Sequence, residues 1–320
     1  MTHREPAIGA LPMRVPAPGL PERVTIYEVG PRDGLQNEKR DIPVAEKIAL
    51  TDTLSRAGFR RIECASFVSP KWVPQMADTD DLVRQLEPID GVNYWSLIPN
   101  MKGMERALEV GVTHAAFFVS ASDTHNRKNL NKGIEESLHE FEEMFTVAKE
   151  HGLTVRAYVS MVFGCPYEGQ IDFGRVMDLS GTLLEMGSAM ISLGDTVGIG
   201  TPIQVRRDCA RAIEAYGEER IALHLHDTRG MGVTNAMVAY DVGMRCFDSS
   251  VGGIGGCPFA PGAAGNLGTE DLLYLLDSLG VDAGMSVAAL SEIALWLEES
   301  ADIDIPSRCS NYLQSRRKDL

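Results

Sequence analysis

The sequence has no CxxC pair among its six cysteines (64, 165, 209, 246, 257 and 309), so neither a zinc ribbon nor a disulfide framework is indicated. Scattered cysteines of this kind suit a reducing compartment, and the chain is expected in the cytoplasm. A secretory leader is not expected either. The first 22 residues carry five prolines and no apolar stretch, and they read as a flexible N-terminal arm ahead of one domain over 23–320. Long apolar runs are also missing. One uncharged stretch, 249–269, is long enough to span a bilayer, but its glycines and prolines disqualify it as a membrane helix. Basic residues are outnumbered 30 to 45, and a net charge of −15 argues against a nucleic-acid binder and against docking on anionic lipid. A local Lys or Arg can still hold an anionic ligand. Finally, no G-x-G-x-x-G follows the first strand-like run, and the glycine-rich stretch 252–258 lacks the Lys-Ser/Thr of a P-loop.

What is present is one pattern, repeated. A short β-branched or aromatic run is followed by a turn and then an amphipathic segment. The strand-like runs are 24–29, 61–66, 94–99, 114–120, 154–160, 189–195, 221–227 and 246–251. Pro43 marks one helix start, with Gly58 past its end, and Thr201-Pro202 opens another that Gly217 closes. Thr269 followed by Glu270 and Asp271 places acids on the positive end of a helix dipole. Eight such units in about 250 residues is the count for a (β/α)8 barrel. The reading is therefore an α/β TIM barrel with an extra C-terminal helical region from about Ser286.

Catalytic groups in such a barrel lie at the carboxyl ends of the strands. The first strand ends in Glu28, followed by Arg32, Asp33 and Gln36; the second carries Glu63 and Ser66; the sixth ends in Asp195; the seventh carries His224 and His226. Residues i and i+2 of a strand share a face, so both imidazoles point into the barrel. Two neutral imidazoles and a carboxylate from another strand end suit a divalent metal, whereas core histidines would each need two hydrogen-bond partners. Arg32 beside such a metal offers a charged fork to an oxyanion, while Asp33 ligates. A mid-strand Glu63 is costly unless paired, and Arg32 is the natural partner. Asp195 reads either as a cap for the next segment or as a site residue. The loop after the eighth run is expected to be a mobile lid carrying one thiol, Cys257. Cys165 is read as structural.

Four segments together resemble hydroxymethylglutaryl-CoA lyases, within a larger group of metal-dependent barrel lyases and Claisen-type synthases. They are V-G-P-R-D-G-L-Q-N over 29–37, S-L-G-D-T over 192–196, H-L-H-D over 224–227, and G-G-C-P over 255–258 with Gly265-Asn266. The resemblance runs from about Val24 to about Gly280. Arg-Asp-Gly and His-x-His are shared across the wider group, whereas the cysteine loop is more discriminating, because isopropylmalate and homocitrate synthases carry no such cysteine there.

The resemblance implies that Asp33, His224, His226 and Asn266 are metal ligands, that Arg32 binds substrate and that Cys257 is the catalytic thiol. It implies supporting acidic roles for Glu28, Glu63 and Asp195, and Mg²⁺ or Mn²⁺ as the metal. Gln36, Ser66 and Asp195 are expected near the substrate. Arg127, Lys128 and Asn129, after the fourth run, are expected at the CoA phosphates. The implied reaction is retro-Claisen cleavage of (S)-3-hydroxy-3-methylglutaryl-CoA to acetyl-CoA and acetoacetate, in leucine degradation, by a homodimer. Three other readings stand beside it: the same chemistry on a longer-chain 3-hydroxyglutaryl-CoA, an acyl-CoA synthase, and a non-catalytic CoA-binding protein.

Overall fold

The computed structural model describes residues 12–16, 19–256 and 265–317. Eight parallel strands close into a barrel in sequence order: β1 (Thr25–Glu28), β2 (Arg61–Ser66), β3 (Asn93–Leu97), β4 (His114–Ser120), β5 (Thr154–Ser160), β6 (Met190–Asp195), β7 (Ile221–Leu225) and β8 (Cys246–Ser249). β8 pairs with β1 from Thr25↔Cys246 to Glu28↔Ser249, so no strand edge is left open. Each strand lies within one of the eight runs read from the sequence, apart from Asn93 at the start of β3.

The surrounding helices are α1 (Val44–Arg56), α2 (Thr79–Gln85), α3 (Met101–Glu109), α4 (Asp123–Leu130), α5 (Ile134–Glu150), α6 (Phe173–Met186), α7 (Pro202–Tyr216), α8 (Gly232–Asp241) and α9 (Thr269–Ser278). Two more, α10 (Val287–Ala301) and α11 (Arg308–Arg317), form the C-terminal helical region, and the Ser286 hydroxyl accepts from the Ala289 amide at its start. Pro202 at the first turn of α7 and Gly217 at its end bound that helix as their chemistry predicts. Part of the expected N-terminal arm, residues 1–11 and 17–18, lies outside the described residues. The described part is docked rather than free. Val15 donates its amide to Ser278 at 2.7 Å, and the Pro21 carbonyl accepts from the Tyr240 hydroxyl at 2.6 Å.

Alternation along the strands divides the interior in two. Side chains such as Ile62, Phe117, Val159, Leu193 and Phe247 face outward into one apolar layer under the helices. Inside the barrel, Tyr27, Trp95, Ala222 and Cys246 make an apolar cluster, and Leu97, Ala116 and Tyr158 make another. Other inward positions are polar: Arg156, Ser192, His224, Asp248 and Glu63 are all buried. Burying that many polar groups is costly unless each is matched, so the partners they choose define the site.

Candidate active site

Two loops bring the ligating groups together at the barrel mouth. After β1, the amides of Arg32, Asp33 and Gly34 all converge on the Val29 carbonyl, at 3.2, 2.7 and 3.2 Å. This tight turn, Gly30–Gly34, carries both Arg32 and Asp33. A Cβ on Gly34 would come within 2.6 Å of the Ile254 side chain, so glycine lets the turn pack against the loop after β8. That second loop returns through Asn266, which forms a bridge with His226, while Leu267 donates to the Leu225 carbonyl at 2.9 Å.

Asp33, His224 and His226 each offer a ligand atom, and these atoms lie within 4.8 Å of one another. The Asn266 amide donates to Asp33 Oδ2 at 3.0 Å and to the Ile254 carbonyl at 3.2 Å. Its own carbonyl oxygen, Oδ1, is buried with no hydrogen-bond partner, as is Nδ1 of His226. Buried polar atoms left unmatched in this way are destabilising, and a cation held among the four side chains would satisfy them. The protonation states of Asp33 and His226 fit the same use. Burial raises the Asp33 carboxyl, but Arg32 and the two histidines more than reverse this and hold it down at about 2. Burial and the neighbouring His224 push His226 down to about 3, so its imidazole is neutral and able to ligate. Burial also lowers His224, but Asp248 and Asp33 outweigh it and the net shift is upward. The oxygen and nitrogen donors present are those that suit a hard or borderline divalent ion.

Arg32 lies between two carboxylates, bonding Glu63 on β2 and its neighbour Asp33. The ion pair expected for Glu63 is thus present, and the other Glu63 oxygen accepts from the Tyr158 hydroxyl at 2.8 Å. Both carboxylates raise the Arg32 pKa against the lowering effect of burial, so the guanidinium stays charged in the barrel. Below it, Arg156 is sandwiched between the Tyr27 ring at 3.9 Å and the Tyr158 ring at 4.7 Å. It binds both oxygens of Asp248, at 2.8 and 3.0 Å.

The other residues predicted from sequence are more dispersed. Asp195 accepts from the amides of Ile199 at 2.9 Å and Gly200 at 3.1–3.2 Å, so what the structure displays is an anchor for the loop after β6. Burial pushes its carboxyl up to about 6. The Ser66 hydroxyl and the Gln36 carbonyl are buried without hydrogen-bond partners. Lys128 and Asn129 are exposed on α4, where the Lys128 ammonium stands 5.0 Å over the Tyr167 ring. Arg127 is engaged elsewhere, with Asp123 and Glu136. Cys257 lies outside the described residues.

Glu28 ties the two loops at their roots. It accepts from the amides of Gly30 and Val251 and from the Thr269 hydroxyl, each at 2.8 Å. Burial pushes its carboxyl up to about 8, against three hydrogen bonds that favour the ionised form. The unfolded value is near 4.3, so the folded protein holds this proton more tightly. Its contribution to stability is complete below about pH 4.3 and is lost as pH rises towards 8. Glu28→Gln cannot titrate. Thermal melts from pH 5 to 9 are therefore expected to show the wild-type protein losing ground to the variant as pH rises, and a difference independent of pH would contradict the assignment.

Sequence reasoning missed Arg156, Tyr158 and Asp248. The signals were an arginine inside the run 154–160 and an aspartate inside the run 246–251, both at positions where a strand facing only apolar layers would not tolerate charge.

The sequence model described as HMGL-like matches residues 23–296. The chain is 45% identical over 288 residues to hydroxymethylglutaryl-CoA lyase YngG of Bacillus subtilis, covering 90% of this chain and 96% of the relative. It is 46% identical over 271 residues to a 3-hydroxy-3-isohexenylglutaryl-CoA/hydroxymethylglutaryl-CoA lyase of Pseudomonas aeruginosa, covering 85% and 90%. A solved HMG-CoA lyase from Acinetobacter baumannii, in complex with coenzyme A and 3-methylmalate, superposes with a TM-score of 0.87 at 38% identity, over 91% of this chain and 95% of that one.

Proposed function

The chain belongs to the HMGL-like family, and on that footing we propose that it cleaves (S)-3-hydroxy-3-methylglutaryl-CoA to acetyl-CoA and acetoacetate. It is a carbon–carbon lyase. The observation that carries the reading is the convergence of Asp33, His224, His226 and Asn266 beside a charged Arg32 at the mouth of a closed barrel. A non-catalytic CoA-binding protein would have no need of that arrangement.

Asp33, His224, His226 and Asn266 would hold the metal, and a divalent ion there supplies Lewis acidity to the C3 hydroxyl and fixes the substrate's orientation. Two oxygen and two nitrogen donors, with water or substrate completing the shell, favour Mg²⁺ or Mn²⁺ over tetrahedral Zn²⁺. Cleavage requires removal of the C3 hydroxyl proton and a place for the electron pair left on the departing acetyl-CoA carbon. The Asp33 carboxylate, which keeps a second oxygen when one ligates, is the basic group positioned to take the proton, whereas His224 has one nitrogen facing Asp248 and the other in the ligand cluster. Arg32 presents its guanidinium to the thioester oxygen as the enolate forms. The Cys257 thiol then protonates the enolate carbon, a role that rests on its place in the Gly-Gly-Cys-Pro segment. Cys257→Ser is accordingly expected to bind substrate with little change in KM while kcat falls about 100-fold or more, the scale of a lost general acid. An unchanged kcat in steady-state assays would remove the thiol from the mechanism.

Gln36, Ser66 and Asp195 belong to the substrate pocket in this reading, with Lys128 and Asn129 at the CoA phosphates. No helix among the described residues is long and apolar enough to cross a membrane. We further place the enzyme in the cytoplasm, in leucine degradation, as a homodimer without nucleic-acid or membrane partners. The absence of a disulfide among the described cysteines and the acidic balance support the first and last of these.

One relative supports a second reading, because the Pseudomonas aeruginosa lyase acts, by its name, on a 3-hydroxy-3-isohexenylglutaryl-CoA as well. Assaying both thioesters and following products by mass separates the two. Acetyl-CoA and acetoacetate with the higher kcat/KM on the methyl substrate is the expected result. Preference for the longer chain would move the assignment to the second reading.

A further inference from the structure

The metal-facing histidine on β7 has a built support beneath it. His224 and Asp248 are register partners on the adjacent strands β7 and β8. Nδ1 of His224 is buried, has no hydrogen-bond partner, and faces Oδ2 of Asp248 at an ion-pair distance of 3.5 Å. Asp248 is itself held by two other residues. Arg156 on β5 donates to both its oxygens, the Ser192 hydroxyl on β6 donates to Oδ2 at 2.7 Å, and the whole group is 1% exposed or less. A carboxylate so restrained has one geometry to offer. A ligating histidine whose far nitrogen is fixed by such a partner loses its freedom to rotate or to present the wrong nitrogen.

We propose that Asp248, clamped by Arg156 and Ser192, is a positioning residue that fixes the His224 ring through Nδ1 and leaves Nε2 for the divalent cation. None of the three touches substrate in this account; they act through His224 alone. The inference rests on the metal reading above. Its consequence is specific: the effect of Asp248 on metal affinity disappears when His224 is absent.

The test is a double-mutant cycle read by Mn²⁺ affinity, with free Mn²⁺ followed by electron paramagnetic resonance on metal-stripped protein. Asp248→Asn keeps the shape and removes the charge. It is expected to weaken Mn²⁺ binding about 10- to 100-fold in the wild-type background, the usual scale for a lost outer partner. In the His224→Ala background, the same change is expected to alter affinity less than about twofold. Equal losses in both backgrounds, or no loss in the first, would overturn the positioning role. If Asp248→Asn shows no cooperative melt, Ser192→Ala tests the same clamp, with a smaller loss expected only while His224 is present and no loss overturning the proposal. A wild-type protein that binds no Mn²⁺ would overturn the metal reading itself, and the inference with it.

Discussion

Asp33→Ala is expected to reduce kcat to below about one-thousandth of the wild-type value, the largest effect of any single change in this chain. Three functions are lost together. The carboxylate is one of three ligand groups clustered within 4.8 Å, it holds Asn266 in place through the 3.0 Å bond from its amide, and it is one of two partners of Arg32. Asp33→Asn should fare little better, because an amide keeps the shape but not the charge that a divalent ion needs. Mn²⁺ binding and steady-state turnover on the same preparation check this. A variant with full metal occupancy and near-wild-type rate would show that Asp33 neither ligates nor takes the proton.

Arg32→Gln is the second. Removing a charge aimed at a developing enolate costs about 100- to 1,000-fold in kcat, by analogy with a lost oxyanion donor. A stability cost accompanies it, because Glu63 is fully buried and loses its cation. Breaking a buried pair by deleting one member costs about 3–5 kcal/mol, and the retained Tyr158–Glu63 hydrogen bond places this case at the lower end. Arg32→Lys should rescue neither property fully, since a point ammonium cannot serve two carboxylates as the guanidinium fork does. Calorimetric melts and kcat measured side by side check the pair of effects; an Arg32→Gln protein as stable and as fast as wild type would contradict both.

The fold was largely legible because the barrel repeats one local rule eight times. Short β-branched runs, helix starts at Pro43, Thr201 and Thr269, and glycines at helix ends all pointed to the same architecture. His224, His226, Arg32 and Asp33 were legible because their spacing places two side chains on one strand face or at one strand end. Arg156 and Asp248 were not. They stand 92 positions apart, and each is tolerable in the core only because the other is there. Each one's place inside a strand run marks an unusual charge, but nothing local says which distant residue is its partner. Asp195 shows the converse problem. Its position at a strand end suits a ligand-facing role and a loop anchor equally, and the backbone amides of residues 199 and 200 become visible as its partners only in three dimensions.

The central claim, that this cluster holds a divalent cation needed to break a carbon–carbon bond in hydroxymethylglutaryl-CoA, is tested most directly by metal withdrawal. Purified protein is stripped with a chelator under reducing conditions, mixed with hydroxymethylglutaryl-CoA, and titrated with Mn²⁺ or Mg²⁺ while acetyl-CoA and acetoacetate are followed by mass. No product is expected without metal, and product should rise with added ion and saturate as one site per chain fills. Undiminished cleavage by fully stripped protein would contradict the claim.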